Sequence, residues 1–143
     1  MNKTINGLRE GYWEEYYDNG NLWYKGNYLN GKKNGYWEYN KCNGQLWSKG
    51  DYINGLREGY WVDYHSNGKI YSKGNYINGN KADYWEVYYD NGQLRRKGNY
   101  INGLENGYWE EYYENGNLWY KGNYSNGKPD GYWKKYHYTG QLR

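Results

Sequence analysis

Residues 11–34 read GYWEEYYDNGNLWYKGNYLNGKKN, and the same order of residue types returns four more times without insertion or deletion. The pair Tyr12-Trp13 recurs as Tyr36-Trp37, Tyr60-Trp61, Tyr84-Trp85, Tyr108-Trp109 and Tyr132-Trp133, each 24 residues after the last. A fixed period of this length marks a repeat array, in which each unit buries its apolar side against its neighbours. Five full units run over 11–34, 35–58, 59–82, 83–106 and 107–130. Residues 1–10 form a partial leading unit, because Ile5-Asn6-Gly7-Leu8-Arg9-Glu10 returns as Ile53 to Glu58, and 131–143 form the front half of a final one. Residues 1–143 are therefore expected to make one array without linkers.

Composition agrees with a β array. Leu, Ile and Val number only 16, Phe is absent and mean hydropathy is −1.47, which alone would lean toward disorder. Twenty-four Tyr and nine Trp reverse that reading, since each ring can bury roughly 150–250 Å². Twenty-two Gly exclude long helices, because each internal Gly costs a helix about 1 kcal/mol relative to Ala. A net charge of +3 is too mild to announce a nucleic-acid binder. Cys42 is the only cysteine, so no intramolecular disulfide is possible. Met1 to Glu10 carry no apolar core and no run of 18 apolar residues occurs anywhere, so a cytoplasmic protein is expected.

Asn-Gly punctuates each unit twice, as Asn19-Gly20 and Asn30-Gly31, and suits the type I′ turn of a two-residue hairpin. Taking both as such turns sets Glu14 opposite Lys25, Trp13 over Gly26, Gly26 beside Gly35, and Tyr24 beside Trp37. One face then carries Trp13, Leu22, Gly26, Tyr28, Gly35 and Trp37, with Trp61, Trp85, Trp109 and Trp133 in register as its packing residues. The other carries Tyr12, Glu14, Tyr16, Trp23 and Lys25. Trp13 and Tyr16 recur three apart, so a bulge near Tyr16 is expected. The fold class is all-β: an elongated, open-ended and curved single-layer antiparallel sheet of stacked hairpins. It should extend about 55 Å at about 4.8 Å per strand.

The succession Tyr24-Lys25-Gly26-Asn27-Tyr28, Asn30-Gly31, Gly35, Trp37 and Asn43-Gly44-Gln45-Leu46 resembles MORN repeats, and is similar to the bacterial variant found in YwqK-like antitoxin proteins. The resemblance covers essentially the whole chain. It implies an elongated β-hairpin sheet serving as a protein scaffold, as a contact for anionic lipid or, in YwqK-like members, as the neutraliser of a partner toxin. Asp83 in place of glycine, Asn40-Lys41-Cys42 in place of Tyr-Tyr-Asp, and Arg95-Arg96 in place of Trp-Tyr depart from the pattern.

No catalytic constellation emerges, and neither cofactor nor metal is expected. His65 and His137 share a repeat column three units apart, about 29 Å, too far to share a metal, and read as stand-ins for tyrosine. Cys42 has no partner at ligand spacing. The adjacent carboxylates Glu14-Glu15 and Glu110-Glu111 face opposite sides of a strand. Two surface features remain. Lys25, Lys49, Lys73, Lys97 and Lys121 form a stripe partly matched by Glu14, Glu38, Glu86 and Glu110, with Val62 leaving Lys73 without its carboxylate. Excess positive charge at Lys73, Lys81, Arg95, Arg96 and Lys97 marks the candidate interaction surface, with Arg95 and Lys97 on one face and Arg96 opposite. The function read from these features is a non-catalytic module that binds a protein partner, which the resemblance to YwqK-like proteins implies to be a toxin. The alternatives are a small aromatic-stacking ligand in the ring-lined trough and attachment of the lysine stripe to anionic membrane. Lys134 and Lys135 replace earlier glutamates and would restrain end-to-end association.

Overall fold

The computed structural model describes residues 1–143 as twelve antiparallel strands in one open sheet, each paired with its sequence neighbours. They are β1 (Lys3–Ile5), β2 (Leu8–Tyr16), β3 (Leu22–Leu29), β4 (Lys32–Asn40), β5 (Leu46–Ile53), β6 (Leu56–Tyr64), β7 (Ile70–Ile77), β8 (Asn80–Tyr88), β9 (Leu94–Ile101), β10 (Leu104–Tyr112), β11 (Leu118–Ser125) and β12 (Lys128–Lys135). No helix forms.

The two Asn-Gly dipeptides make different turns. Asn30 and Gly31 both take left-handed backbone, φ 51° and 76°, and join Leu29 directly to Lys32, as a type I′ turn requires. At the other end only Gly20 is left-handed, φ 87°. There Tyr17 N–H donates to Asn21 O at 2.9 Å and Gly20 N–H to Tyr17 O at 2.9 Å, closing a wider loop than the expected two-residue turn. The Asn19 side chain explains the difference. Its Oδ1 accepts from Asn21 N–H at 3.0 Å while its Nδ2 donates to Cys42 O at 2.6 Å in the next unit. Asn67, Asn91 and Asn115 make the same bridge to the following loop. The opposite edge is stitched by backbone, with Gly31 N–H donating to Arg9 O at 3.0 Å and Gly55, Gly79, Gly103 and Gly127 repeating the bond.

Two irregularities per unit set the side-chain directions. In the β2–β3 hairpin Glu15 pairs with Tyr24 but Tyr16 with Leu22, so Trp23 is an extra residue, the expected bulge near Tyr16. Between units, Asn27 pairs with Asn34 while Lys25 pairs with Glu38, so β4 carries two residues more than β3 across that stretch. The surplus falls where Gly35 turns left-handed, φ 75°, a conformation that Asp83 also adopts at φ 58° in the fourth unit. This second shift overturns the expected pairing of Gly26 with Gly35 and of Tyr24 with Trp37. Tyr24 instead pairs with Tyr39.

The core follows from that shift. Trp37, Trp61, Trp85 and Trp109 are fully buried, Trp13 is buried and Trp133 partly so. Trp13 does pair with Gly26 along its own hairpin, yet the indole covering Gly26 belongs to Trp37 of the following unit. A Cβ on Gly26 would sit 2.2 Å from the Trp37 ring, and Gly50, Gly74, Gly98 and Gly122 meet Trp61, Trp85, Trp109 and Trp133 in the same way. Each indole N–H completes the contact by donating to the carbonyl after that glycine, as Trp37 Nε1 to Asn27 O at 3.1 Å. Tyr28, Tyr52, Tyr76, Tyr100 and Tyr124 stand edge-on between successive indoles, with centroids 4.9 Å apart for Tyr28–Trp37 and 6.0 Å for Trp37–Tyr52. The result is one aromatic ladder along the array.

Trp61→Ala should lower stability by about 3–5 kcal/mol, exposing Gly50. Gly50→Ala should cost about 1–3 kcal/mol by overpacking, its new Cβ lying 2.3 Å from the Trp61 ring. Urea melts of the double variant should show less than the sum, because removing the indole makes room for the methyl group.

Candidate functional site

On the face without the tryptophans the carboxylates are satisfied by local pairing. Tyr12 donates to Glu14 at 2.6 Å, Tyr36 to Glu38 at 2.8 Å and Tyr108 to Glu110 at 2.9 Å, and Tyr16, Tyr88 and Tyr112 donate to the same row of carboxylates. Lys25 and Lys97 form ion pairs with Glu38 at 2.9 Å and Glu110 at 3.1 Å. Both partners lie in the following unit, not across the hairpin. By the same register Lys73 stands opposite Glu86, and it is Lys49 that meets Val62 across the unit junction. Lys49, Lys73 and Lys121 lie over Tyr64, Tyr88 and Tyr136 at 5.6–6.0 Å.

The tryptophan face is different. The column that holds Tyr24 and Tyr120 in the first and fifth units is occupied by Ser48, Ser72 and Arg96 in between, and Ser48 lines a cleft of about 470 Å³. Lys33, Tyr39, Tyr52, Arg57 and Asp63 form its walls, with Trp47 and Tyr71 exposed at its rim. Asp63 accepts hydrogen bonds from both serines and lies 3.7 Å from Arg57. Lys33 Nζ donates to the Tyr39 hydroxyl at 2.6 Å, and Tyr39 to the Tyr52 hydroxyl at 3.2 Å. Burial, reinforced by Tyr52, pushes the Tyr39 phenol well above the usual tyrosine range.

The one-residue bulge carries the Trp23 column onto this face. Trp23 and Tyr24 have ring centroids 5.1 Å apart, Trp119 and Tyr120 4.5 Å, and Trp47 and Tyr71 line the cleft. Conversely Ile70, in the Leu22 column, lines a hollow with Tyr36, Tyr60 and Val62 on the opposite face. Strict alternation had placed Leu22 and Trp23 the other way round. The expected basic surface is divided between the two faces, and the bulge moves Arg95 from one to the other. Lys81 lies over Trp85 and Tyr100, and Arg96 over Trp109 between Glu105 and Glu111, on the tryptophan face. Arg95 occupies the bulged position beside Arg96, with Val87 paired to Arg96 and Tyr88 to Leu94, so it does not share a face with Lys97. Lys73 and Lys97 lie on the opposite side. His65 does replace a tyrosine, its Nε2 meeting Tyr88 O at 2.8 Å where Tyr17, Tyr89 and Tyr113 make the same inter-unit bond. Lys81 also belongs to a column that was not recognised as such from the sequence, the basic residues Arg9, Lys33, Arg57 and Lys81, although each stands second after an Asn-Gly turn.

The tyrosine–glutamate rows make stability depend on pH. Burial and Glu38 push Tyr36 up to about 12, the hydrogen bond to Glu14 pushes Tyr12 up to about 12, and burial with Glu110 pushes Tyr108 up to about 12. A phenol raised above its unfolded value of about 10 stabilises the fold fully below pH 10 and loses that contribution as pH rises through the folded value. Burial opposes ionisation of Glu38 and Glu110, but Lys25 with Tyr36, and Tyr112 with Lys97, still hold both carboxyls below their ordinary range. That contribution is present above pH about 4.3 and is lost below it. Thermal unfolding followed by circular dichroism should therefore show a plateau bounded by an acid limb and an alkaline limb beginning near pH 10. Tyr36→Phe with Tyr108→Phe should flatten the alkaline limb.

Residues 9–30, 57–78, 84–102 and 105–126 each match the MORN repeat variant family. Comparison with curated proteins finds no match. The four matched segments cover more than half of the chain and coincide with stacked hairpins of the sheet. The chain therefore belongs to the MORN repeat variant family, whose repeats generally serve as binding modules.

Proposed function

We propose that the protein is a non-catalytic module that binds a polypeptide partner through its tryptophan face, in the manner of an antitoxin or immunity protein. The observation that carries the reading is the cleft at Ser48, where serine stands in place of a core-column tyrosine and Trp47 and Tyr71 are exposed beside Lys33 and Arg57. Exposed aromatics and arginine around a partly desolvated hollow are the composition of protein-binding hot spots. The antitoxin character is supported by the sequence resemblance to YwqK-like proteins. Lys81, Arg95 and Arg96 extend the same face beyond the cleft, whereas Lys73 and Lys97 belong to the opposite side. The lysine stripe supports membrane attachment less well, because Lys25 and Lys97 are held by carboxylates and the others lie over rings.

A second reading has one observation in its favour: the cleft's volume lies within the range of small-molecule pockets. Capture experiments from the source cell separate the two. Trp47→Ala with Tyr71→Ala should abolish recovery of a protein partner while the urea midpoint changes little, since both rings are about half exposed. Loss of a bound small molecule, with no protein recovered by either form, would decide for the second reading. Undiminished recovery of the partner by the double variant would refute the cleft as the site.

A further inference from the structure

The column of Arg9, Lys33, Arg57 and Lys81 forms a row of cations along the tryptophan face. Arg9, Lys33, Arg57 and Lys81 lie 4.5, 5.1, 4.1 and 4.8 Å from the ring centroids of Trp13, Trp37, Trp61 and Trp85. The row ends where Glu105 and Pro129 take the column. Trp109 is covered there by Arg96, which Glu105 and Glu111 neutralise at 3.6 and 3.7 Å. Within the row only Arg57 has an acidic partner, Asp63. Arg9, Lys33 and Lys81 form no ion pair. Burial first, then the neighbouring Arg96, pushes the Lys81 ammonium below its ordinary value against the smaller opposing pull of Asp63 and Glu105. Lys33 donates to Tyr39 and Tyr39 to Tyr52, so the cleft wall offers donors in sequence and leaves the Tyr52 hydroxyl hydrogen to be accepted from the cleft.

The spacing of the row selects a partner. Two strands advance the array by about 9.6 Å per unit. A polyproline II segment rises about 3.1 Å per residue with three residues per turn, so every third side chain returns to one side after about 9.3 Å. We propose that Arg9, Lys33, Arg57 and Lys81 form a track for an extended acidic segment of a polypeptide, running across the strands with a carboxylate at every third residue. The middle carboxylate lies between Lys33 and Arg57 at the mouth of the cleft, outside the wall that Asp63 forms. An extended chain fits this row better than a lipid surface does, because the cations lie half-buried against indole rings in a single line and do not project as a plane of free heads. The proposal rests on the reading of the tryptophan face as the binding face.

Fluorescence anisotropy with a fluorescein-labelled (Glu-Pro-Pro) hexamer tests it. The control is the same eighteen residues with all glutamates in one block. The periodic peptide should bind more tightly than the block peptide, and its affinity should fall with added salt. Lys33→Gln and Lys81→Gln retain a stem to cover the indoles and should each weaken binding about tenfold, in line with loss of one charge-assisted hydrogen bond. Lys49→Gln, on the opposite face, should leave binding unchanged, and urea midpoints check that all three variants fold. Equal affinity for the two peptides, or indifference to Lys33→Gln and Lys81→Gln, would overturn the track. Binding to phosphatidylcholine–phosphatidylserine vesicles that those substitutions abolish, with neither peptide bound, would assign the row to lipid and overturn it as well. Failure of the peptide while Trp47→Ala with Tyr71→Ala still abolishes capture of a protein partner would sink the track and leave the binding face standing. Failure of both would remove both.

Discussion

Everything in this sheet depends on an indole lying flat on a glycine of the strand before it. No side chain larger than hydrogen can occupy Gly26, Gly50, Gly74, Gly98 or Gly122 without entering the ring of Trp37, Trp61, Trp85, Trp109 or Trp133. To bring each tryptophan level with that glycine, the strand after the type I′ turn must carry two residues more than its partner, and the left-handed residue at the Gly35 column supplies the kink. The contact therefore decides the inter-unit register, and with it the Lys25–Glu38 pairing and the edge-on tyrosines. It also explains how a single sheet with so few aliphatic residues holds together. Each ring of the ladder touches one unit ahead and one behind, so stability accumulates by nearest-neighbour coupling along the array.

Once the core is carried by this ladder, the two surfaces are free to differ. On one, tyrosine hydroxyls and lysines satisfy a row of glutamates, and little polar capacity is left over. On the other, the tyrosine of the Tyr24 column is dispensable, because Ser48 and Ser72 replace it without disturbing the register on either side. The vacated volume becomes a cleft whose floor is held by Asp63 and whose rim is aromatic. A repeat protein obtains a local site in this way by exempting one column from its rule over a few units. The cations stacked on the indoles belong to the same logic, since a ring buried against glycine on one side still presents its other face to a guanidinium or ammonium group.

The sequence by itself determined a great deal. The 24-residue period, the all-β class, the open hairpin array, the burial of the tryptophan column and the tyrosine-like role of His65 follow from spacing and residue type, because a repeat amplifies each signal and Gly, Asn and the rings have narrow roles in strands. The three-residue interval between Trp13 and Tyr16 even announced one bulge. The Ser48 and Ser72 substitutions and the basic column from Arg9 to Lys81 were visible too, but nothing in the chain showed that Ser48, Lys33 and Arg57 line one cleft.

Only the tertiary structure decided the directions of the side chains around the two irregularities. Alternation holds along an unbroken ladder, and a single extra residue such as Trp23 or Arg95 reverses every direction beyond it. The two-residue surplus at Gly35 leaves parity unchanged and so has no trace in the hydrophobic pattern, yet it moves each tryptophan from the neighbour that alternation assigned to the glycine of the preceding unit. It is set by a contact between strands of different units, Trp37 on Gly26, and not by the local preferences of either strand. The bulge in its turn parted Arg95 from Lys97, which alternation alone sets on one face.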